Sequence, residues 1–262
     1  MEIDSDIIIV GGGLNGSLLA IAAAKIGFST IVLDSKGNHG DELNSFDGRS
    51  YALAASSVRL LKNLDIFEDI RNYSQPILDI EILDGKLVQG PSQFSLHFDN
   101  NEIHNGPMGY MVEDRFIQKT LFAQILATNQ IDYKFDSKVT EHYQQGSYIS
   151  VQLDDGQKLR TRLVVGADGR NSNTAKRAKI KKSGWRYKQN ALVCAIEHEI
   201  DHKGLAWQYF LPSGPLAILP MTGNRSSIVW TEQTRNANAI NALDDNQYME
   251  ILDSRLGSFL GK

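Results

Sequence analysis

Cysteine is all but missing: Cys194 is the only one in 262 residues. No internal disulfide can form, which fits a reducing compartment and leads us to expect a cytoplasmic protein. Long apolar runs are missing too. The most hydrophobic helix candidate, LLAIAAAKIG at 18–27, is interrupted by Lys25 and falls well short of the roughly 20 residues needed to span a bilayer. Any membrane contact is therefore expected to be peripheral. The amino-terminal MEIDSD is acidic where a secretory signal has a positive region, so no cleaved leader is expected. Positive charge is not clustered: 27 basic side chains stand against 31 acidic ones, for a net charge of −4. KRAKIKK at 176–182 is the one basic cluster, and a solvated face accounts for it. Nucleic acid is not expected as a partner, because phosphate backbones call for clustered cations. There is no internal repeat and no low-complexity segment.

What is present is 42% hydrophobic, enough to bury a core in one large or two modest domains. DIIIV at 6–10 is a short, β-branched apolar run of the kind that forms a strand buried on both faces. Small and apolar residues from Leu14 to Ile26 suit a buried helix, Gly27 marks its end, and TIVLD at 30–34 is a second buried strand. This strand, helix, strand order predicts a parallel unit. FDGRSYALA at 46–54 follows, with Arg49 between a glycine turn and small residues that could open a helix. SVRLLKNLDIFEDI at 57–70 reads as one amphipathic helix, with Leu60, Leu61, Leu64 and Phe67 at helical spacing.

From Ile77 to His104 the pattern changes to alternating strands, returns to helix over 113–127, and then gives strands joined by turns at QQG and DDG. Beyond Lys182 it is strand-like again, through NALVCAIEHEI, LAWQYFLP, PLAILPM and SSIVWTE, with a last helix near Asn246 to Leu256. The fold class expected is α/β: a Rossmann-like domain, at 1–76 and 107–182, interleaved with a mainly antiparallel domain at 77–106 and 183–262.

Gly11, Gly13 and Gly16 spell G-x-G-x-x-G between the first strand and the helix. In that setting the first glycine allows a tight turn, the second lets a pyrophosphate approach the backbone, and the third lets helix pack on strand. The helix start then offers unpaired N–H groups and a positive dipole end. Asp34 lies 18 residues past Gly16, close to the roughly 20 expected of the acid that binds the adenosine ribose. The competing reading is a glycine-rich turn with a surface aspartate, and these residues alone do not separate FAD from NAD.

HEIDH at 198–202 matches the zinc motif H-E-x-x-H. The preceding ALVCAIE favours strand, on which residues four apart stand about 13 Å apart and cannot share one metal. Two exposed histidines at a strand end are expected instead.

VVGADGRNS at 164–172 places Asp168 and Gly169 after a buried strand, with Ser172 following, where open parallel sheets bind ligands. Together with the glycine loop this resembles the single-component flavoprotein aromatic hydroxylases. FDGRSYALA, MGYMVEDRFIQKTL (108–121) and GPLAILPMTGNRSSIVW (214–230) narrow the resemblance to the ubiquinone-biosynthesis hydroxylases, and the first and third to the 2-octaprenyl-6-methoxyphenol hydroxylase type. The resemblance covers essentially the whole chain.

It implies that Gly11, Gly13, Gly16 and Asp34 hold the ADP half of FAD, and that Arg49 lies along its phosphates and ribityl chain, with Asp114 and Arg115 approaching the same region. Asp168 and Gly169 would form the motif implicated in FAD and reduced-nicotinamide interaction. The implied reaction takes electrons from NAD(P)H or another donor, adds O₂ at flavin C4a to form a hydroperoxide, and passes one oxygen to the ring of a prenylated phenol. No nucleophile and no metal set is called for. Peripheral membrane docking and contact with other ubiquinone-biosynthesis proteins are implied as well.

The family's GD segment, which closes over the flavin, would follow Lys262, so weak FAD retention and little hydroxylation are expected of the chain as it stands. GPLAILPM is suited either to line a pocket for a prenylated ring or to serve as plain core strand. A prenyl reductase, a nicotinamide-only dehydrogenase and a non-catalytic fragment stay open as alternatives.

Overall fold

A computed structural model describes residues 3–37, 45–86, 90–103, 106–256 and 260–261. The chain opens with β1 (Ser5–Val10), α1 (Leu14–Lys25) and β2 (Thr30–Leu33). Next come β3 (Ser50–Ala54), α2 (Ala55–Asn63), α3 (Phe67–Arg71), β4 (Ser74–Ile77), β5 (Asp79–Lys86), β6 (Gly90–Asp99), α4 (Asn100–Ile103) and β7 (Gly109–Glu113). The middle of the chain holds α5 (Asp114–Leu126), β8 (Ile131–Lys134), β9 (Val139–Gln145), β10 (Tyr148–Leu153), β11 (Lys158–Gly166) and α6 (Asn173–Arg177). It ends with β12 (Gln189–Glu197), β13 (Leu205–Leu211), β14 (Gly214–Met221), β15 (Arg225–Gln233), α7 (Thr234–Ile240) and α8 (Asp245–Leu256).

Two compact units share these elements: Met1–Ser45, Leu61–Asp69 and Arg115–Gly184 in the first, Phe46–Leu60, Ile70–Asp114 and Trp185–Lys262 in the second. Residues 46–60, 70–76 and 107–114, expected with the Rossmann-like part, cluster instead with the second unit. The reason is pairing: β3, β7 and β4 form a three-stranded sheet of their own, and Ile77 and Met111 pack there with Ala206.

The first unit is built on a six-stranded sheet ordered β8-β2-β1-β11-β10-β9. Its first four strands are parallel, and β10 and β9 continue antiparallel from β11. β1 and β2 are buried on both faces, as a β-branched run requires. Ile8, Val10, Ile31 and Leu33 face the returning strands through Val139, Val151, Leu153 and Leu159. Ile9 and Val32 face Ala20 of α1, whose buried side chains are nearly all small, so the helix comes close to the sheet. Gly27, with φ of 94°, follows the end of α1 in the left-handed region.

The second unit carries the six-stranded sheet β12-β15-β14-β13-β5-β6, antiparallel except where β13 meets β5. Leu216 and Ile218 of β14 are fully buried with Ile228 and Trp230 against α7 and α8. Leu219, on the opposite face of β14, packs with Ile77, Met111 and Ala206. One face of GPLAILPM, with Leu216 and Ile218, is therefore core, while on the other Pro215 is exposed and Ala217 and Leu219 are half-buried. Among the described residues no helix is long and apolar enough to cross a membrane.

Candidate cofactor site

The glycine loop joins β1 to α1 in the first unit, and two of its three motif glycines are required by the backbone itself. Gly11 has φ of 107°, and a Cβ there would stand 2.5 Å from the Ala167 carbonyl oxygen on the loop after β11. A Cβ on Gly16 would overlap the Gly11 carbonyl oxygen. Gly13 differs: its φ of −68° and ψ of −176° are open to any residue, and a Cβ would meet nothing within 4 Å. The fold makes no demand for glycine at 13. A methyl group there would stand only in the way of something brought up to the loop, which is what a pyrophosphate-binding glycine must avoid. Gly13 is also the N-cap of α1 and gives it no side-chain cap, so the helix's first N–H groups and its positive dipole end are not used up by that residue.

Asp34 follows β2, and its backbone N–H donates to the Lys134 carbonyl at 2.9 Å. One carboxylate oxygen accepts the Lys36 N–H at 3.0 Å, and the other accepts the Tyr133 hydroxyl at 2.9 Å. That hydroxyl is also 3.2 Å from the Gly12 carbonyl oxygen. Burial, then the Asp34 charge, raises the Tyr133 pKa well above the ordinary phenol range, so the hydroxyl stays protonated and donates.

Asp168, past the end of β11, is committed to its own loop. It accepts the Ser172 hydroxyl on one oxygen, and the Thr174 N–H and hydroxyl, both at 3.0 Å, on the other. Ser172 in turn caps α6 by accepting the Ala175 N–H at 2.9 Å. Burial works against the charged form, but these hydrogen bonds outweigh it and hold the Asp168 carboxyl below its usual range. Gly169 makes the turn, with φ of 81°.

Arg49 and Asp114 meet in the second unit. The Arg49 guanidinium lies 2.9 Å from Asp114 and 2.6 Å from Asp47, and the Asp114 N–H donates to the Arg49 carbonyl at 3.0 Å. The Arg49 side chain is 59% exposed and that of Asp114 only 2%. The Arg49 N–H, helped by its guanidinium, holds the Asp47 carboxyl low. SYALA, expected to open a helix, is instead β3, because it pairs residue for residue with β7 from Ser50↔Glu113 to Ala54↔Gly109. Arg115, in the first unit, lays its guanidinium over the Phe116 ring, 4.5 Å from the centroid.

Two further pairings carry no local signal in the sequence. Tyr133 stands 99 positions from the acid it holds. Arg225 binds the buried Glu113 at 2.7 Å, with its guanidinium 5.7 Å from the Phe46 ring centroid.

The histidines of HEIDH are not exposed. His198 and His202 are 7% and 4% accessible. His198 bonds the Ile200 carbonyl at 2.8 Å and the Ser226 hydroxyl at 3.0 Å. His202 directs Nε2 at the Met221 and Gly223 carbonyls and accepts the Gly204 N–H on Nδ1 at 3.0 Å. The two rings lock the turn after β12 against β15. Among the described residues no group of three or more ligands could hold a metal.

A parallel sheet whose first strand and helix are joined by this glycine loop defines a dinucleotide-binding α/β fold. The FAD binding domain family model matches residues 4–260, and the chain belongs to that family. It is 39% identical over 98% of its length to the ubiquinone hydroxylase UbiL of Rhodospirillum rubrum, of which it covers 58%. It is 28% identical over 98% of its length to the 3-demethoxyubiquinol 3-hydroxylase of Escherichia coli, of which it covers 65%. Among solved structures, PqsL of Pseudomonas aeruginosa superposes with a TM-score of 0.79 at 17% identity, over 96% of this chain and 66% of that one. The p-nitrophenol 4-monooxygenase PnpA of Pseudomonas putida does so with a TM-score of 0.74 at 17% identity, over 100% of this chain and 64% of that one. The α/β fold expected from the sequence is thus the fold of these flavoproteins. The chain spans about 58% of the length of the first of these relatives.

Proposed function

We propose that the chain is the FAD-binding portion, with part of the substrate-binding portion, of a monooxygenase that hydroxylates the ring of a polyprenylated phenol in ubiquinone biosynthesis. The observation that carries this reading is the 39% identity with a ubiquinone hydroxylase along nearly the whole chain. The first unit carries the glycine loop and Asp34, which would hold the ADP half of the cofactor. FAD, when bound, supplies the redox chemistry and the activation of oxygen.

The chain's own residues bind and orient. Gly11 and Gly16 shape the loop, Gly13 admits the pyrophosphate, and the start of α1 donates N–H groups to it. Asp34 accepts from the adenosine ribose. Asp168 and Gly169 act by fixing the loop after β11, since the Asp168 carboxylate already serves Ser172 and Thr174. Arg49, its charge offset by Asp47 and Asp114, acts as an oriented donor toward the cofactor rather than as a bare cation, and Asp114 sets its direction. Arg115, whose guanidinium lies over the Phe116 ring, is proposed to approach the same region. NAD(P)H is the proposed electron donor and O₂ the second substrate. The prenyl tail calls for docking on the inner face of a membrane, in company with other enzymes of the route.

The test is turnover of a prenylated phenol by the full-length protein under ¹⁸O₂ with NAD(P)H, followed by mass spectrometry. One labelled oxygen in the product is expected. A product formed without oxygen would move the protein to the reductases, and absence of both flavin and product would leave a binding role.

A further inference from the structure

We propose that Tyr133 is a positioning residue for the adenosine ribose: it orients the Asp34 carboxylate so that both ribose hydroxyls can be accepted at once. This rests on the reading of the glycine loop and Asp34 as the ADP-binding half of the site. An ionised carboxylate has about four lone-pair positions. The Lys36 N–H takes one on the first oxygen and the Tyr133 hydroxyl takes one on the second. Among the described residues one position is left on each oxygen, the arrangement a vicinal diol needs. Without the tyrosine hydroxyl the carboxylate keeps a single anchor and is free to turn about its terminal bond, which is broad and roughly two-fold.

Three further observations place Tyr133 at this point. Its hydroxyl fills the space over Gly12, where an added Cβ would overlap it and would lie 2.6 Å from the Asp34 carboxylate. Gly12, which falls outside the G-x-G-x-x-G positions, is thereby required by the tyrosine. The ring is held in an aromatic cluster, 4.7 Å from Phe135 and 6.1 Å from Phe122 between centroids, so its direction is fixed by packing. The Gly12 carbonyl oxygen, 3.2 Å away, competes with Asp34 for the single hydroxyl proton, which places the phosphate loop beside the ribose acid.

The test is calorimetric titration of the chain with ADP and with 2′,3′-dideoxy-ADP, reading the ratio of their affinities in the parent, Asp34→Ala and Tyr133→Phe. General loosening of the fold changes both affinities together and cancels in the ratio. The parent is expected to prefer ADP, Asp34→Ala to abolish the preference, and Tyr133→Phe to reduce it by about tenfold, the low end of the scale of one hydrogen bond to a charged group. Tyr133→Met removes the same hydroxyl without a ring and serves as second variant, with the same expectation, should Tyr133→Phe fail to fold. A preference that survives in the tyrosine variants and is lost in Asp34→Ala overturns the role of Tyr133 alone. A parent that binds no ADP, or shows no preference, overturns the site reading and the proposal with it.

Discussion

Gly16 and Asp168 show how single residues in this chain serve the scaffold. A Cβ on Gly16 would meet backbone, the Gly11 carbonyl oxygen, and backbone cannot swing aside as a side chain can. Gly16→Ala is expected to cost about 1–3 kcal/mol or more, the range of overpacking in a dense core, and a lower urea midpoint would register it. Asp168 gives a pH signature. Its carboxyl is held below the ordinary value of 3.8, so its contribution to stability is complete above that value and is lost as pH falls through the lower folded value. Asp168→Ala should cost about 1–3 kcal/mol near pH 7, and the gap between parent and variant in urea unfolding should close below about pH 4. The motif glycines and Asp34 stand out in the sequence because their spacing is local, whereas Asp114 is singled out only by the family-like segment around it. Tyr133, Glu113 and Arg225 do not stand out, since each acts through a partner about a hundred positions away, and no periodicity carries that information.

Secondary-structure elements were read well where one physical signal dominated. β1, α1 and β2 follow from β-branched runs, small residues and a closing glycine. Two misreadings have identifiable causes. The stretch expected as one helix over 57–70 is two, α2 and α3, because Asp65 takes a left-handed φ of 60° that aspartate tolerates better than most residues. Lys25 holds this break by bonding the Asn63 carbonyl and the Asp65 carboxylate. SYALA became strand because β7 offered a full ladder, which outweighs weak local preference. At this scale β14 gives the sharpest expectation. Ile218 is fully buried with Trp230 and Leu252, so Ile218→Ala should destabilise by about 2–5 kcal/mol, seen as a large fall in melting temperature. A pocket-lining residue would leave stability nearly unchanged.

Over the whole molecule, two cores account for the interleaved sequence pattern. One surrounds β1 and β2, the other β14 and β15, and the chain crosses between the units several times. The alternation of parallel and antiparallel signals made that division visible in outline. The exact crossing points were hidden, because β3, β4 and β7 carry no mark of which sheet they will join. The central claim is that the loop between β1 and α1 receives the pyrophosphate of FAD, and Gly13 tests it most directly, since the fold alone does not need glycine there. FAD titration of the parent chain and of Gly13→Ala, followed by flavin fluorescence alongside urea unfolding, is the measurement. The account expects equal urea midpoints and FAD affinity weakened by about tenfold or more in the variant. Equal affinity for FAD in two equally stable proteins would contradict it.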